Sequence, residues 1–432
     1  MKYHAKYILI CITAAFVLLT LLKSFSLTRQ FGSIDLRTRI VAARLITTQH
    51  SPYFYKWDPK DGDFFLDPAA SAGRLVNGNV VTPATLAVLY PLSRLPYTAI
   101  VFIWMIAQFL AAFTIVYLLF KKQANAVFLC CSIIVGFICS EYWFYNIESG
   151  QIYIFYSLVL ALIYYLLTLK KKQGEYLSGF LSGLFIFFRP FAIVFGIGFL
   201  LQWRKRWLLG SVIGGLCGML FFILPQVSHW SDYFSAMHEY VNEELGHSFF
   251  NPGLAEPVKP ATIENSGNVS KYMIYDLGRV DPVYHQFKRF GVELSYGQCL
   301  LLYGFAVLIL STLFFRRKNK APSAYYLFLF GFLLYMAAEL FVPAPRQGYN
   351  IIQWMVPVTL MLIHNRSRLY ILIPLFTALL LLHNFLLFYP GQGKIAELIF
   401  LCMIAYEIYS GLFLSQSIVN ETEKEGNGLL WM

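Results

Sequence analysis

Residues 97–122 read YTAIVFIWMIAQFLAAFTIVYLLFKK, a run with no charged side chain until Lys121 and Lys122 close it. A bilayer's hydrocarbon core needs about 20 apolar helical residues to cross. Only a helix satisfies its own backbone there, so the run reads as a membrane span. The chain repeats the pattern outward in both directions. Apolar segments extend from Tyr7 to about Leu22, then over 124–140, 151–169, 207–224, 297–315, 321–341, 351–363, 369–388 and 395–414. Two shorter runs, Tyr176–Phe188 and Phe191–Trp203, are each well under the roughly 20 residues of an ordinary span. They read as a short or re-entrant hairpin with Arg189-Pro190 at its tip. The expectation is an all-α, polytopic integral membrane protein of about twelve membrane segments, a single membrane domain over 1–432.

Composition agrees. Of 432 residues, 58% are hydrophobic and 13% charged, against about 25% charged in soluble domains. The net charge of +11 lies in Lys and Arg clusters at span ends, where it orients spans; nucleic acid is not an expected partner. The clusters are Lys2 and Lys6, Lys121-Lys122, Lys170 to Lys172, Arg204 to Arg206, Arg316 to Lys318, and Arg366 with Arg368. If all face the cytoplasm, both termini do too, as in a multi-pass protein of the inner (plasma) membrane. Two long loops then face outward, 23–83 and 226–296, and 415–432 is a cytoplasmic tail. The first span reads as a retained anchor. The seven Cys fall inside apolar runs without CxxC pairs.

The first loop is rich in turn signals, Asp58-Pro59, Asp61-Gly62, Asp67-Pro68 and Asn77-Gly78. Within it Leu36, Ile40 and Ala43 share one helical face and Arg37 and Arg44 another, so Asp35 to Thr47 reads as a short helix lying on the membrane surface. Asp58, Asp61, Asp63 and Asp67 lack the EF-hand pattern, and His229, His238 and His247 have poor metal spacing. No metal and no cofactor are expected.

Four positions carry chemistry in this reading. Asp35, just past the first span, is either an N-cap or first-turn acid paired with Arg39 at i+4 or a general base at the interface. Arg189, deep in an apolar hairpin, faces an anion or wet cavity, or snorkels to the interface. Arg346 follows two prolines in Pro343-Ala344-Pro345, with Gln347, Tyr349 and Asn350 beyond it. Glu148-Ser149-Gly150-Gln151 is a polar corner between apolar runs.

In order, these pieces resemble a known family. An Asp past span one precedes Ala-Ala-Arg-Leu; Asn79-x-x-Thr82-Pro83 leads into a span; Gly150-Gln151 opens another; and Ser178-Gly179-Phe180-Leu181-Ser182-Gly183-Leu184 runs to Arg189-Pro190 and a Trp-Arg-Lys-Arg-Trp end. This is similar to glycosyltransferase family 87 (DUF2029) of the GT-C superfamily, over roughly residues 30–210 and more loosely near 345–350. The resemblance implies an inverting membrane glycosyltransferase moving a mannose-like hexose or a pentose from a polyprenyl-phosphate donor to a lipid or glycan acceptor at the outer face. It implies Asp35 as general base, Arg189, Arg346 and Arg44 at the donor phosphate, and Glu148, Gln151, Asn79 and Tyr349 at substrate. Many relatives carry Lys where Arg189 stands. Two other classes stay open at this point: a transporter or flippase of lipid-linked sugars, expected to carry charge near the bilayer midplane, and a surface-polysaccharide polymerase or ligase, expected to rely on the second loop.

Overall fold

The computed structural model describes residues 2–68, 79–123, 126–169, 171–244, 283–315, 322–342, 346–383 and 392–413. Among these residues the regular elements are helices: α1 Lys2–Phe31, α2 Ile34–Leu45, α3 Pro83–Ser93, α4 Tyr97–Phe120, α5 Val127–Ile133, α6 Glu141–Ser149, α7 Tyr153–Leu167, α8 Lys172–Phe188, α9 Ile197–Leu201, α10 Lys205–Gly218, α11 Val227–Glu244, α12 Val283–Arg289, α13 Tyr296–Phe315, α14 Ala324–Phe341, α15 Met355–His364, α16 Leu369–Leu381 and α17 Gln392–Phe413.

Five helical stretches are long and apolar enough to cross a bilayer: His4–Phe31, Tyr97–Phe120, Lys205–Val241, Tyr296–Phe315 and Ala324–Phe341. A sixth joins Val127–Ile138 to Glu141–Ser149 across a 51° bend. About twelve full spans are therefore not seen among the described residues. The apolar runs are cut into shorter pieces, such as Pro83–Ser93, Tyr153–Leu167, Pro190–Leu201 and Leu369–Leu381. Local backbone chemistry makes the cuts. Residues 134–138 form a π turn, 3-10 turns lead into α9 and α15, and Pro374 lies inside α16. Large apolar side chains stand exposed along α1, α10 and α13, including Tyr7, Phe16, Leu19, Leu209, Leu216, Leu301 and Leu308. Such surface is untenable in water and ordinary against lipid. The protein is an integral membrane protein.

Several boundaries differ from the sequence reading. α1 continues to Phe31, past Lys23, where the first loop was expected to begin. The helix from α10 runs on through α11 to Glu244, past Gln226, where the second loop was expected. The expected 415–432 tail, Lys170, Arg316 to Lys318, Pro343 to Pro345, Asn77-Gly78 and His247 lie outside the described residues. Arg189 does sit at the turn of a helical hairpin, between α8 and the 3-10 turn Pro190–Gly196.

The most consequential difference is α2. It does not lie on a surface: every residue from Leu36 to Leu45 is buried, and Leu36, Ile40, Val41, Ala42 and Ala43 are fully enclosed. An amphipathic helix can be swallowed whole only if its polar face finds partners. Arg39 and Arg44 bond to carbonyl and amide oxygens, and Arg37 pairs with Asp67 at 3.5 Å.

A second device positions the site. α8 and α10 approach at backbone distance through reciprocal glycines. A Cβ on Gly179 or Gly183 would meet the Trp207 or Ser211 carbonyl, and one on Gly210 or Gly214 the Tyr176 or Phe180 carbonyl, all near 2 Å. Small residues four apart are how helices pack closely in lipid. This contact fixes α8, and with it Arg189 at its C-terminal end.

Candidate active site

Two backbone turns create the site. Between α1 and α2 the chain reverses through Gly32 and Ser33, both left-handed (φ 63° and 56°). The Tyr97 hydroxyl donates to Gly32 O at 2.5 Å and lies 3.2 Å from Ser33 O. Ser33, not Asp35, is the N-cap of α2, and Asp35 stands in the first turn. Facing it, α6 ends at Gly150 with φ +67°. A Cβ there would lie 2.6 Å from Ser33 Cβ and 2.7 Å from Leu36 Cβ, so glycine is required twice, for its conformation and for the close approach.

That closure brings Gln151 to Asp35. The Gln151 amide Nε2 donates to Asp35 Oδ2, and Gln151 Oε1 accepts from Arg39 Nη2 at 2.6 Å. Arg39 Nη1 donates to Gly150 O at 2.9 Å, and Trp104 Nε1 donates to the same oxygen at 3.1 Å. The i,i+4 pair is present too, with Arg39 Nη2 4.0 Å from Asp35 Oδ2. Arg39 is therefore anchored across the helix boundary as well as to Asp35. The Asp35 side chain keeps 16% of its surface accessible. Replacing Gly150 by Ala is expected to separate α2 from α6, destabilising by about 1–3 kcal/mol through strain alone and removing the Gln151–Asp35 bond. A thermal-unfolding measurement on purified protein checks it; an unchanged midpoint would contradict this construction.

A second polar cluster forms from residues distant in sequence. Arg189 Nη2 pairs with Glu339 Oε1, and Arg189 Nε donates to the Tyr335 hydroxyl at 3.2 Å. Glu339 Oε2 lies 3.7 Å from Arg346 Nε. Arg346 then grips Glu397 with both terminal nitrogens, at 2.5 and 3.4 Å, and Trp354 Nε1 donates to Glu397 at 2.9 Å. Gln353 Nε2 lies 3.3 Å from both Glu339 oxygens, and Gln353 Oε1 accepts from Tyr335 at 2.6 Å. Arg346, Glu339 and Glu397 are buried, whereas the Arg189 side chain keeps 22% of its surface accessible.

Tyr153, two residues past Gln151, joins the clusters. Its ring stacks on Tyr349 at 5.5 Å and lies 5.6 Å below the Arg189 guanidinium.

An apolar pocket of about 400 Å³ opens beside this junction, between α3, α4, α7 and α8. Three of its lining residues adjoin the polar groups: Ile152 follows Gln151, Phe188 precedes Arg189, and Trp104 shares the Gly150 carbonyl with Arg39. Val159, Leu181 and Leu184 line it further along α7 and α8.

Of the residues singled out from sequence, Asp35 and Gln151 meet in the first cluster, Arg189 and Arg346 in the second, and Tyr349 stacks on Tyr153 beside Arg189. Glu148 is half-buried, between Ile147 and Gly150, which touch Ser33. Arg44 is committed elsewhere: its guanidinium donates to Ser93 O at 3.0 Å and Phe64 O at 2.7 Å, stapling the loop to α3. Asn79 is buried ahead of α3, its Oδ1 accepting from Val81 N at 3.3 Å. Glu339, Glu397, Gln353, Tyr153 and Trp104 were not singled out. A signal existed for the two acids, since a carboxylate inside an apolar run is costly and seldom idle. The loop acids serve their own loop: Asp58 caps Lys60 N, Asp61 accepts from Tyr55 at 2.5 Å, and Asp67 pairs with Arg37. Among the described residues no three His, Cys, Asp or Glu converge as metal ligands.

An accessible carboxylate on α2, an accessible guanidinium at the end of α8 and an apolar pocket between α3, α4, α7 and α8 thus occur in a helical membrane protein. The profile of glycosyltransferase family 87 matches residues 81–343, more than half the chain, and the chain belongs to that family. It is a membrane glycosyltransferase, consistent with the GT-C type. Glu148, Gln151, Arg189 and Glu339 fall within the matched stretch, while Asp35, Arg44, Asn79, Arg346 and Tyr349 fall outside it. No curated protein and no solved structure gives a significant match.

Proposed function

We propose that this glycosyltransferase is inverting and moves a sugar, a mannose-like hexose or a pentose, from a polyprenyl-phosphate donor to a lipid or glycan acceptor at the outer face of the inner membrane. Asp35 is the general base. The observation that carries this reading is that the apolar pocket is lined by Ile152, which follows Gln151, the partner of Asp35, by Phe188, which precedes Arg189, and by Trp104, which shares the Gly150 carbonyl with Arg39. A lipid-linked sugar is an amphiphile of that shape, with its isoprenoid tail between the helices and its phosphate and sugar at the polar junction.

The chemistry follows from what such a donor needs. A polyprenyl phosphate leaves as an anion, so its departing oxygen requires no acid. The acceptor hydroxyl must lose a proton as its oxygen bonds to the anomeric carbon on the face opposite the phosphate. Asp35 takes that proton, the carbon–phosphate oxygen bond breaks, and the sugar inverts. Gln151 holds the carboxylate in place, the kind of preorganisation that converts proximity into rate. Arg189 receives the phosphate. Two of its nitrogens serve Glu339 and Tyr335, and guanidinium has five N–H donors, so a phosphate oxygen binds without displacing the carboxylate. Arg346 acts through Glu339. The basic clusters at span ends support cytoplasmic termini.

Glu339 and Glu397 are the intramembrane charges that a lipid-linked-sugar transporter would carry. Both are here neutralised by arginines, and the family match favours transfer. Filling the pocket tests the donor assignment. Leu181→Trp is expected to lower kcat/KM about tenfold for a long-chain polyprenyl-phosphate sugar, ~1.4 kcal/mol, and to spare a short-chain analogue. Equal loss for both chain lengths in a steady-state assay would remove the tail from this pocket.

A further inference from the structure

A second cavity, of about 460 Å³, lies against the C-terminal end of α2 and is lined by Thr47, Thr48, Tyr90, Gln226, Ser228 and His229. It uses the opposite face of α3 from the apolar pocket: Ala87 and Tyr90 face this cavity, and Thr85, Val88 and Leu89 the other, as the ~100° step per helical residue requires. No Lys, Arg, Asp or Glu is among its described lining residues.

Two of its groups are left without hydrogen-bond partners among the described residues. His229 is 7% exposed, and its Nε2 lies 3.1 Å from Ile46 O. A carbonyl accepts only, so Nε2 carries the hydrogen and Nδ1 is the bare acceptor nitrogen. Nδ1 is unpartnered, and so is the buried Oε1 of Gln226. Both unpaired atoms are acceptors in a cavity beside which the charge of Arg94 is engaged by the Tyr90 hydroxyl at 2.6 Å, and buried acceptors left unpaired call for a donor from a ligand. The hydroxyls of Thr47 and Ser228 can donate and accept alongside them, whereas Thr48 gives its hydroxyl hydrogen to Leu45 O at 2.7 Å. The matching ligand is neutral and rich in hydroxyl donors. Ile46 is roughly 16 Å from Asp35 along α2 at ~1.5 Å per residue, further than one sugar ring reaches.

We propose that this cavity is a subsite for the distal sugars of a neutral glycan acceptor, whose near end presents its hydroxyl to Asp35. The inference rests on the reading of Asp35 as base for acceptor attack. It is tested by binding, with turnover removed. Full-length Asp35→Asn protein is titrated with fluorescently labelled linear tetrasaccharides of glucose, galactose and mannose, and binding is followed by anisotropy. The expected result is saturable binding of at least one tetrasaccharide, weakened tenfold or more by His229→Phe and independently by Gln226→Leu, with the corresponding monosaccharide binding unaltered by either. The Gln226 variant keeps the His229–Ile46 contact, so the test survives misfolding of the His229 variant. Absence of binding by all three tetrasaccharides, or binding indifferent to both substitutions, overturns the subsite. Transfer activity that survives Asp35→Asn overturns the base instead, so the two failures are distinct.

Discussion

Replacing Asp35 by Asn is expected to lower kcat for sugar transfer by about 10²–10⁴-fold, the range a positioned general base contributes. Asn has nearly the same size and keeps an oxygen to accept from Gln151, so the junction between α2 and Gly150 is preserved. What disappears is the ability to take a proton. KM for the donor is expected to change little, because the proposed site assigns the tail and phosphate to the apolar pocket and Arg189, not to Asp35. Steady-state kinetics on wild-type and Asp35→Asn protein with matched unfolding midpoints make the comparison. A loss in KM alone would mean that Asp35 binds substrate without moving a proton.

The second large effect is on stability. Glu339 is buried and stands between two arginines, Arg189 and Arg346. Removing one member of a buried ion pair leaves an uncompensated charge, which costs about 3–5 kcal/mol. Glu339→Leu is therefore expected to be among the most destabilising single substitutions in the chain. Its pairing predicts a rescue. Combining Glu339→Leu with Arg189→Met removes both charges and is expected to restore most of the lost stability without restoring transfer, because Arg189 is the accessible cation for the phosphate. Thermal unfolding and transfer assays on the same preparations separate the two roles. A double variant no more stable than Glu339→Leu would show that the pair is not the source of the effect.

How far the sequence alone carried this picture depends on the range of each interaction. The α4 span, the helical character of α2 and the hairpin tip at Arg189-Pro190 follow from apolar periodicity and charge placement, which are local. Asp35 and Gly150-Gln151 were legible as polar corners between apolar runs. That they meet is set by the left-handed turns at Gly32, Ser33 and Gly150, whose geometry is tertiary. The burial of α2 was not legible, because Arg39 and Arg44 are satisfied largely by the carbonyls of Gly150, Ser93 and Phe64. A carbonyl is present at every residue and carries no sequence signature. Glu339 and Glu397 were absorbed into the apolar runs around them. The arginines that hydrogen-bond them lie 150 and 51 positions away in the chain, a separation that no local pattern encodes, although Arg346 is only seven positions from Glu339. About twelve full spans are not seen among the described residues for a related reason: composition marks apolar runs, whereas the π and 3-10 turns that break them answer to packing.

The central claim is that the donor is a lipid-linked sugar. Purified wild-type protein is given one radiolabelled sugar in two forms, as the polyprenyl phosphate and as the nucleotide diphosphate, with a mixed membrane-lipid and oligosaccharide acceptor pool, and the anomeric configuration of the product is determined. Transfer from the polyprenyl phosphate alone, with inversion at the anomeric carbon, is the expected result. Transfer from the nucleotide sugar, or a product that retains the donor's configuration, would contradict it.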